Sequence, residues 1–134
     1  MKHVIIVVAA LCALVAMGGP ATQGQVHQFV GLWEAVDPDD GGHQVLSITD
    51  NGDGTVKLLV YDTFFSLCDG GRGIGEGTGV SLPGRSLQSD NFTVTCFETN
   101  QTQTTPTTFR LDPDGTLFRA RATLAPIVYH RISK

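Results

Sequence analysis

Five glycines occupy every second position from Gly71 to Gly79. Clustered glycine is one route to a phosphate cradle, because bare backbone N–H groups can converge on an anion at a helix start. This run lacks the spacing for it. No Gly-x-Gly-x-x-Gly can be placed there, and neither Gly-Lys-Ser/Thr nor a helical pattern follows. The oxygen donors Asp50, Asn51, Asp53 and Thr55 suggest calcium chemistry. The EF-hand register is not met, since counting from Asn51 puts Val56 sixth and counting from Asp50 puts Gly52 third. Asp and Gly also dominate tight turns for backbone reasons, and Asp37, Asp39 and Asp40 read the same way. His27, His43 and His130 are far apart, with no His-x-His or His-Glu-x-x-His. No Gly-x-Ser-x-Gly marks a nucleophile. Glu34, Glu76 and Glu98 leave a glycosidase-type carboxylate pair open, because such pairs form in space and leave no spacing signal. With these motifs missing, the chain is expected to be no enzyme and to use no metal or cofactor.

The cysteines indicate a compartment. Met1-Lys2-His3, the apolar run Val4 to Met17 and Gly18-Gly19-Pro20 follow the order of a secretory signal peptide. Residues 1–21 are read as that signal, cleaved after Ala21, with Cys12 inside it. The run is shorter than the roughly 20 residues a membrane-spanning helix needs. Cys68 and Cys96 remain. With no Cys-x-x-Cys and no histidine close by, a disulfide is expected rather than a metal pair or reactive thiol. The protein is expected to be secreted, or periplasmic and on the cell-envelope exterior. Loss of Lys2 leaves eight basic residues against thirteen acidic ones. That balance argues against nucleic acid and anionic lipid as partners. Asn91-Phe92-Thr93 and Asn100-Gln101-Thr102 match the glycosylation acceptor pattern.

Residues 22–134 read as a single all-β domain. No segment keeps a helical period, and turn signals recur at Asp37–Gly42, Asn51–Gly54, Leu82–Arg85, Asp112–Gly115 and Ala125-Pro126. Between them lie about eight strands: 30–36, 43–49, 55–62, 72–80, 86–97, 105–111, 116–122 and 127–132. Alternation gives most of them one apolar face, as in Leu46 and Ile48, or Val56, Leu58 and Val60. Phe92, Val94 and Cys96 share a face, as do Phe109 and Leu111, and Phe118, Ala120 and Ala122. Thr63 to Leu67 extends the third strand or crosses a barrel end. Asn100 to Thr108 reads as a loop, because Pro106 removes a ladder donor. The fold expected is an antiparallel, up-and-down β-barrel. On a strand, the glycines Gly71, Gly73, Gly75, Gly77 and Gly79 form one bare face. That face is expected to mark a bend in the wall or the seat of a large side chain such as Trp33.

Gly31-Leu32-Trp33 lies on the first strand and Tyr129-His130-Arg131 on the last. This pairing resembles the calycin superfamily of lipocalins, fatty-acid-binding proteins and avidin-like barrels. In lipocalin-like families a Gly-x-Trp sits on the first strand, and a basic residue of the last strand packs across the indole and closes the barrel end. The resemblance implies that Gly31, Trp33 and Arg131 do so here, through a cation–π contact worth about 0.5–2 kcal/mol. The likeness covers these ends, the strand count and the size. The helix that a lipocalin carries before its last strand is missing from the pattern. The Trp, Asp-Gly and Cys layout is also similar to that of small secreted bacterial domains, a likeness that implies no activity.

Two functions follow as expectations. One is binding of a small apolar ligand in the barrel, lined by Trp33, Leu58, Val60, Phe92, Phe109 and Phe118. The other is an inhibitor, protein-binding or structural exported module whose partner is another exported protein. It would use the polar tracts Asp37–Gly42 and Asn100–Thr108.

Overall fold

The structure, a computed structural model, describes residues 23–134. The signal segment expected over residues 1–21 lies outside the described residues. A single helical turn, α1 (Gln23–Val26), leads into ten strand segments. These are β1 (Gly31–Val36), β2 (His43–Asp50), β3 (Thr55–Phe65), β4 (Gly71–Leu82), β5 (Ser86–Ser89), β6 (Thr93–Cys96), β7 (Thr102–Thr104), β8 (Thr107–Leu111), β9 (Leu117–Arg119) and β10 (Ile127–Ser133). The pairing runs β3-β2-β1-β10-β9-β8-β5-β4, and β3 pairs with β4. The sheet therefore closes into an eight-strand antiparallel barrel, which fits a calycin-like fold in general. Closure leaves none of these eight strands as a free edge along the paired stretch.

The two extra segments are continuations of barrel strands. β4 pairs with β5 through Val80–Leu82 and with β6 through Gly73–Glu76. The expected strand 86–97 is thus one strand broken at Asp90–Phe92. The break inserts a residue, so Leu87 and Ser89 face inward before it and Phe92, Val94 and Cys96 after it. The Asn100–Thr108 tract is not simply a loop, because β7 pairs with β6 from Thr102 to Thr104. Pro106 is tolerated because it sits where the β7–β8 strand is itself broken, and Thr105 N–H donates to Phe92 O at 2.8 Å across the gap. Thr63 to Leu67 does both things expected of it: β3 runs to Phe65, and a 3-10 turn (Ser66–Cys68) then crosses one barrel end. Cys68 and Cys96 are joined in a disulfide with Cα atoms 5.4 Å apart, tying that turn to the end of β6.

One face was expected with the wrong parity. Phe118 points outward, half-buried, with the Arg110 guanidinium 5.5 Å from its ring. Register decides this. Leu117 pairs with inward Leu111 and Tyr129, whereas Phe118 pairs with Arg110 and Val128. Arg119 takes the inward place that Phe118 was expected to hold, so Phe118 does not line the interior.

Inside, Trp33, Leu46, Ile48, Leu58, Val60, Leu87, Phe92, Phe109, Leu117 and Tyr129 form one continuous buried cluster. The glycine face is where this cluster meets the wall. A Cβ on Gly75 would overlap the Phe92 ring, and one on Gly73 would lie 2.9 Å from Phe65 Cδ2. On Gly79 a Cβ would press on Val56 and Leu87. The large ring seated on the glycines is therefore Phe92 rather than Trp33.

Candidate functional site

The antiparallel topology puts the β2–β3, β4–β5 and β8–β9 turns at one end of the barrel, together with α1. This end is sealed. Trp33 is fully buried, and its Nε1–H donates to Phe29 O at 2.9 Å. The Arg131 guanidinium lies 4.0 Å from the Trp33 ring centroid. It donates through Nη2 to Gln28 O at 2.6 Å and through Nη1 to Val30 O. Gly31 has φ +144, and a Cβ there would strike Ser133 O at 2.5 Å, so only glycine lets the last strand approach this closely. Val26 and Phe29 complete the plug.

The mouth, at the opposite end, is bounded by Asp37–Gly42, by the Ser66–Cys68 turn and by residues 119–127. A cavity of about 180 Å³ opens here, lined by apolar Phe64, Phe65, Leu67, Leu124 and Ile127 and by polar Asp37, Asp40, Gln44, Asp62, Arg119 and Arg121. A hydrogen-bonded chain crosses the floor. Tyr129 Oη–H donates to Gln44 Oε1, and Gln44 Nε2–H donates to Asp62 Oδ2 at 2.7 Å. Phe64 N–H donates to Asp62 Oδ1 at 2.9 Å. Asp62 is 1% exposed and Gln44 2%.

The charges at the mouth are unevenly matched. Arg121 is held by Asp37 at 2.8 Å, by Asp39 and by Ala125 O. Arg119 donates to Thr107 Oγ1 at 3.1 Å, with its guanidinium 5.4 Å from the Phe92 ring. Neither arginine forms an ion pair with Asp62. Burial pushes the Asp62 carboxyl up from 3.8 to about 6, and the nearby Asp40 carboxylate adds to the rise. Hydrogen bonds from Phe64 N–H and Gln44, and the field of Arg119, oppose it. Burial likewise raises the Tyr129 hydroxyl to about 12, which keeps it a neutral donor.

Trp33, Leu58, Val60, Phe92 and Phe109 all point inward but contact one another within the cluster. Gly31, Trp33 and Arg131 meet at the sealed end. Cys68 and Cys96 meet beside the mouth, next to a further hollow of about 290 Å³ lined by Leu67, Val94, Cys96 and Gln101–Gln103. A polar cleft of about 430 Å³ on the outer wall holds Asn51, Lys57, Glu76 and Asn91. In the Asp50–Thr55 turn the oxygens serve the turn itself: Asp50 Oδ1 accepts from Gly52 N–H at 2.7 Å, and Asp53 Oδ1 from Thr55 N–H at 2.9 Å. His27, His43 and His130 are all exposed. Glu34 is 3.8 Å from His43, Glu98 is 3.3 Å from Arg72, and Glu76 lines the outer cleft.

Sequence reasoning did not single out Asp62, Gln44, Tyr129 or Arg119 as site residues. A signal for three of them was present. Asp62 continues the inward series Val56, Leu58, Val60, and Gln44 precedes Leu46 and Ile48. Tyr129 follows Ile127. Each is a polar group placed on an apolar parity near the mouth end of its strand. Comparison with protein-family models finds no match, and comparisons with curated proteins and with solved structures find none either.

Proposed function

We propose that this protein is an exported, non-catalytic binding protein of the lipocalin- or avidin-like kind, taking a small, largely apolar ligand at the barrel mouth. The observation that carries this reading is the asymmetry of the two ends. One is plugged by Phe29, Trp33 and Arg131; the other keeps a cavity with an apolar lip and a few convergent polar groups. That mixture is the usual lining of a ligand site. The expected ligand class is retained, and its seat moves from the lumen, where the expected lining residues pack on each other, to the mouth. Export is supported by the disulfide, which is compatible with an oxidising exterior. Among the described residues no helix is long and apolar enough to cross a membrane.

Native mass spectrometry of protein isolated from its own host tests this. A small adduct lost on Leu124→Trp, which fills the mouth, is the expected result. A mass that stays apo overturns it. A second reading, a protein partner at the same end, is favoured by the exposure of Val36, Phe64, Leu67 and Leu124 around the opening. A larger complex that dissociates on Phe64→Asp, with no small adduct, would select that reading.

A further inference from the structure

This inference rests on the mouth reading above and names the chemistry of its ligand. The cavity combines two features that pull in different directions. Its lip, made by Phe64, Leu67 and Leu124, suits an apolar body. Its floor holds carboxylates in excess of cations. A Cβ on Gly42 would sit 3.0 Å from both Asp40 Oδ1 and Asp62 Oδ1, so the two carboxylates flank one point at the cavity wall. The charged and titratable groups that line the cavity with Asp62 or act on it are Asp37, Asp40, Arg119, Arg121 and Tyr129. Arg121 is consumed by Asp37 and Asp39. Arg119 donates to Thr107 and also hydrogen-bonds the neutral Tyr129 hydroxyl, so it acts on Asp62 through its field rather than as an ion-pair partner. Among the described residues Asp40 forms no ion pair either; its Oδ1 accepts the Gly42 N–H at 2.8 Å. A buried carboxylate that is hydrogen-bonded but has no cation in direct contact is a costly arrangement that a cation entering the cavity relieves.

We propose that the mouth takes a small amphipathic amine, its ammonium group against Asp62 and Asp40 and its apolar body against Phe64, Leu67 and Leu124. A free amine and a lysine side chain of another protein share this chemistry. The cavity volume of about 180 Å³ admits a short alkyl or single-ring body and no more. The raised Asp62 carboxyl fits the same picture: a bound ammonium favours the charged form, so binding should weaken as Asp62 is protonated.

The test is a titration of the isotope-labelled protein with three isosteric probes, followed by backbone amide shifts: n-pentylammonium, pentanol and pentanoate. The expected result is saturable movement of the Gln44, Asp62 and Leu124 amides by pentylammonium at an affinity about tenfold above pentanol, with pentanoate weakest. Acidification from about pH 7.5 to about 5 lowers the pentylammonium affinity. Asp62→Asn removes both the preference and its pH dependence. Asp40→Asn, on the exposed turn, lowers the preference without threatening the fold, and Asp112→Asn at the sealed end leaves it unchanged. A tighter response to Nα-acetyl-lysine methylamide than to pentylammonium supports the proposal with a protein as the source. Pentanol or pentanoate binding at the mouth as tightly as pentylammonium overturns the amine while leaving the mouth reading intact. If none of the probes moves the mouth amides, both fall.

Discussion

Trp33 and Asp62 are both buried, at opposite ends of one barrel, and their surroundings differ in kind. Trp33 has every need met: its ring lies under Arg131, its N–H reaches Phe29 O, and Val26 of α1 and Phe29 of the turn after it pack into the same core. Asp62 has both oxygens hydrogen-bonded but, among the described residues, has no ion-pair partner and feels Arg119 only through its field. The first arrangement gains from being closed, because apolar area leaves water and each polar group keeps a partner. The second, on the reading proposed above, gains from being filled by a ligand. The contrast is between an end where every polar group is matched and an end where a buried carboxylate has no ion-pair partner among the described residues.

Breaking the seal should cost most. Trp33→Ala is expected to lower unfolding free energy by about 3–5 kcal/mol in urea titrations, whereas Phe118→Ala, outside the wall, costs under about 1 kcal/mol. Equal losses would erase the inward–outward distinction drawn for β9. The Cys68→Ser/Cys96→Ser double variant is expected to lose about 3–4 kcal/mol. Amide exchange should then rise first at residues 65–71 and 96–102, while the amides around Trp33 stay protected. Uniform exchange across the molecule would mean that the two ends are not separate units.

Gly75→Ala sharpens the comparison from the middle of the wall. Its Cβ meets the buried Phe92 ring, and the expected cost is about 1–3 kcal/mol, partly recovered by adding Phe92→Leu. No recovery would mean that the backbone, rather than the ring, demands glycine there. The pH dependence concerns the mouth alone. The Asp62 carboxyl is raised from 3.8 to about 6, so the folded state holds its proton more tightly than the unfolded chain does. Its contribution is fully present below about pH 4 and is lost as pH rises through about 6, a change on the order of 2 kcal/mol. Denaturation midpoints followed across that window should show the fall in the native sequence and not in Asp62→Asn. The smallest effect is at the sealed end's rim. Arg110 pairs with Asp112 at 3.0 Å but is 61% exposed, so Arg110→Ala should shift stability by no more than about 0.5 kcal/mol.

Much of the architecture was legible because it depends on local regularities. Alternation in Leu46/Ile48 and Val56/Leu58/Val60, and turn residues at Asn51–Gly54, act over a few positions and survive in any all-β packing. The parity of β9 was not legible, because three apolar residues at 118, 120 and 122 outvote Arg119 in any count of the sequence. Cross-strand register reverses that vote by placing Leu117 opposite Leu111 and Tyr129. The break at Asp90–Phe92 was hidden for a similar reason: an inserted residue changes parity without changing composition.

From the amino-acid order alone came the all-β class, the strand count, the pairing of Cys68 with Cys96 and the inward position of Trp33. Periodicity, turn chemistry and the count of cysteines are properties of neighbouring residues. Only the tertiary structure decided which ring sits on the glycine face, that Phe118 lies outside, and that Asp62, Gln44 and Tyr129 meet at one end. Those three lie on β3, β2 and β10, and Gln44 and Tyr129 are 85 residues apart in the chain. Barrel closure is the long-range event that brings β10 beside β1, one strand away from β2, and so turns three isolated polar exceptions into one floor.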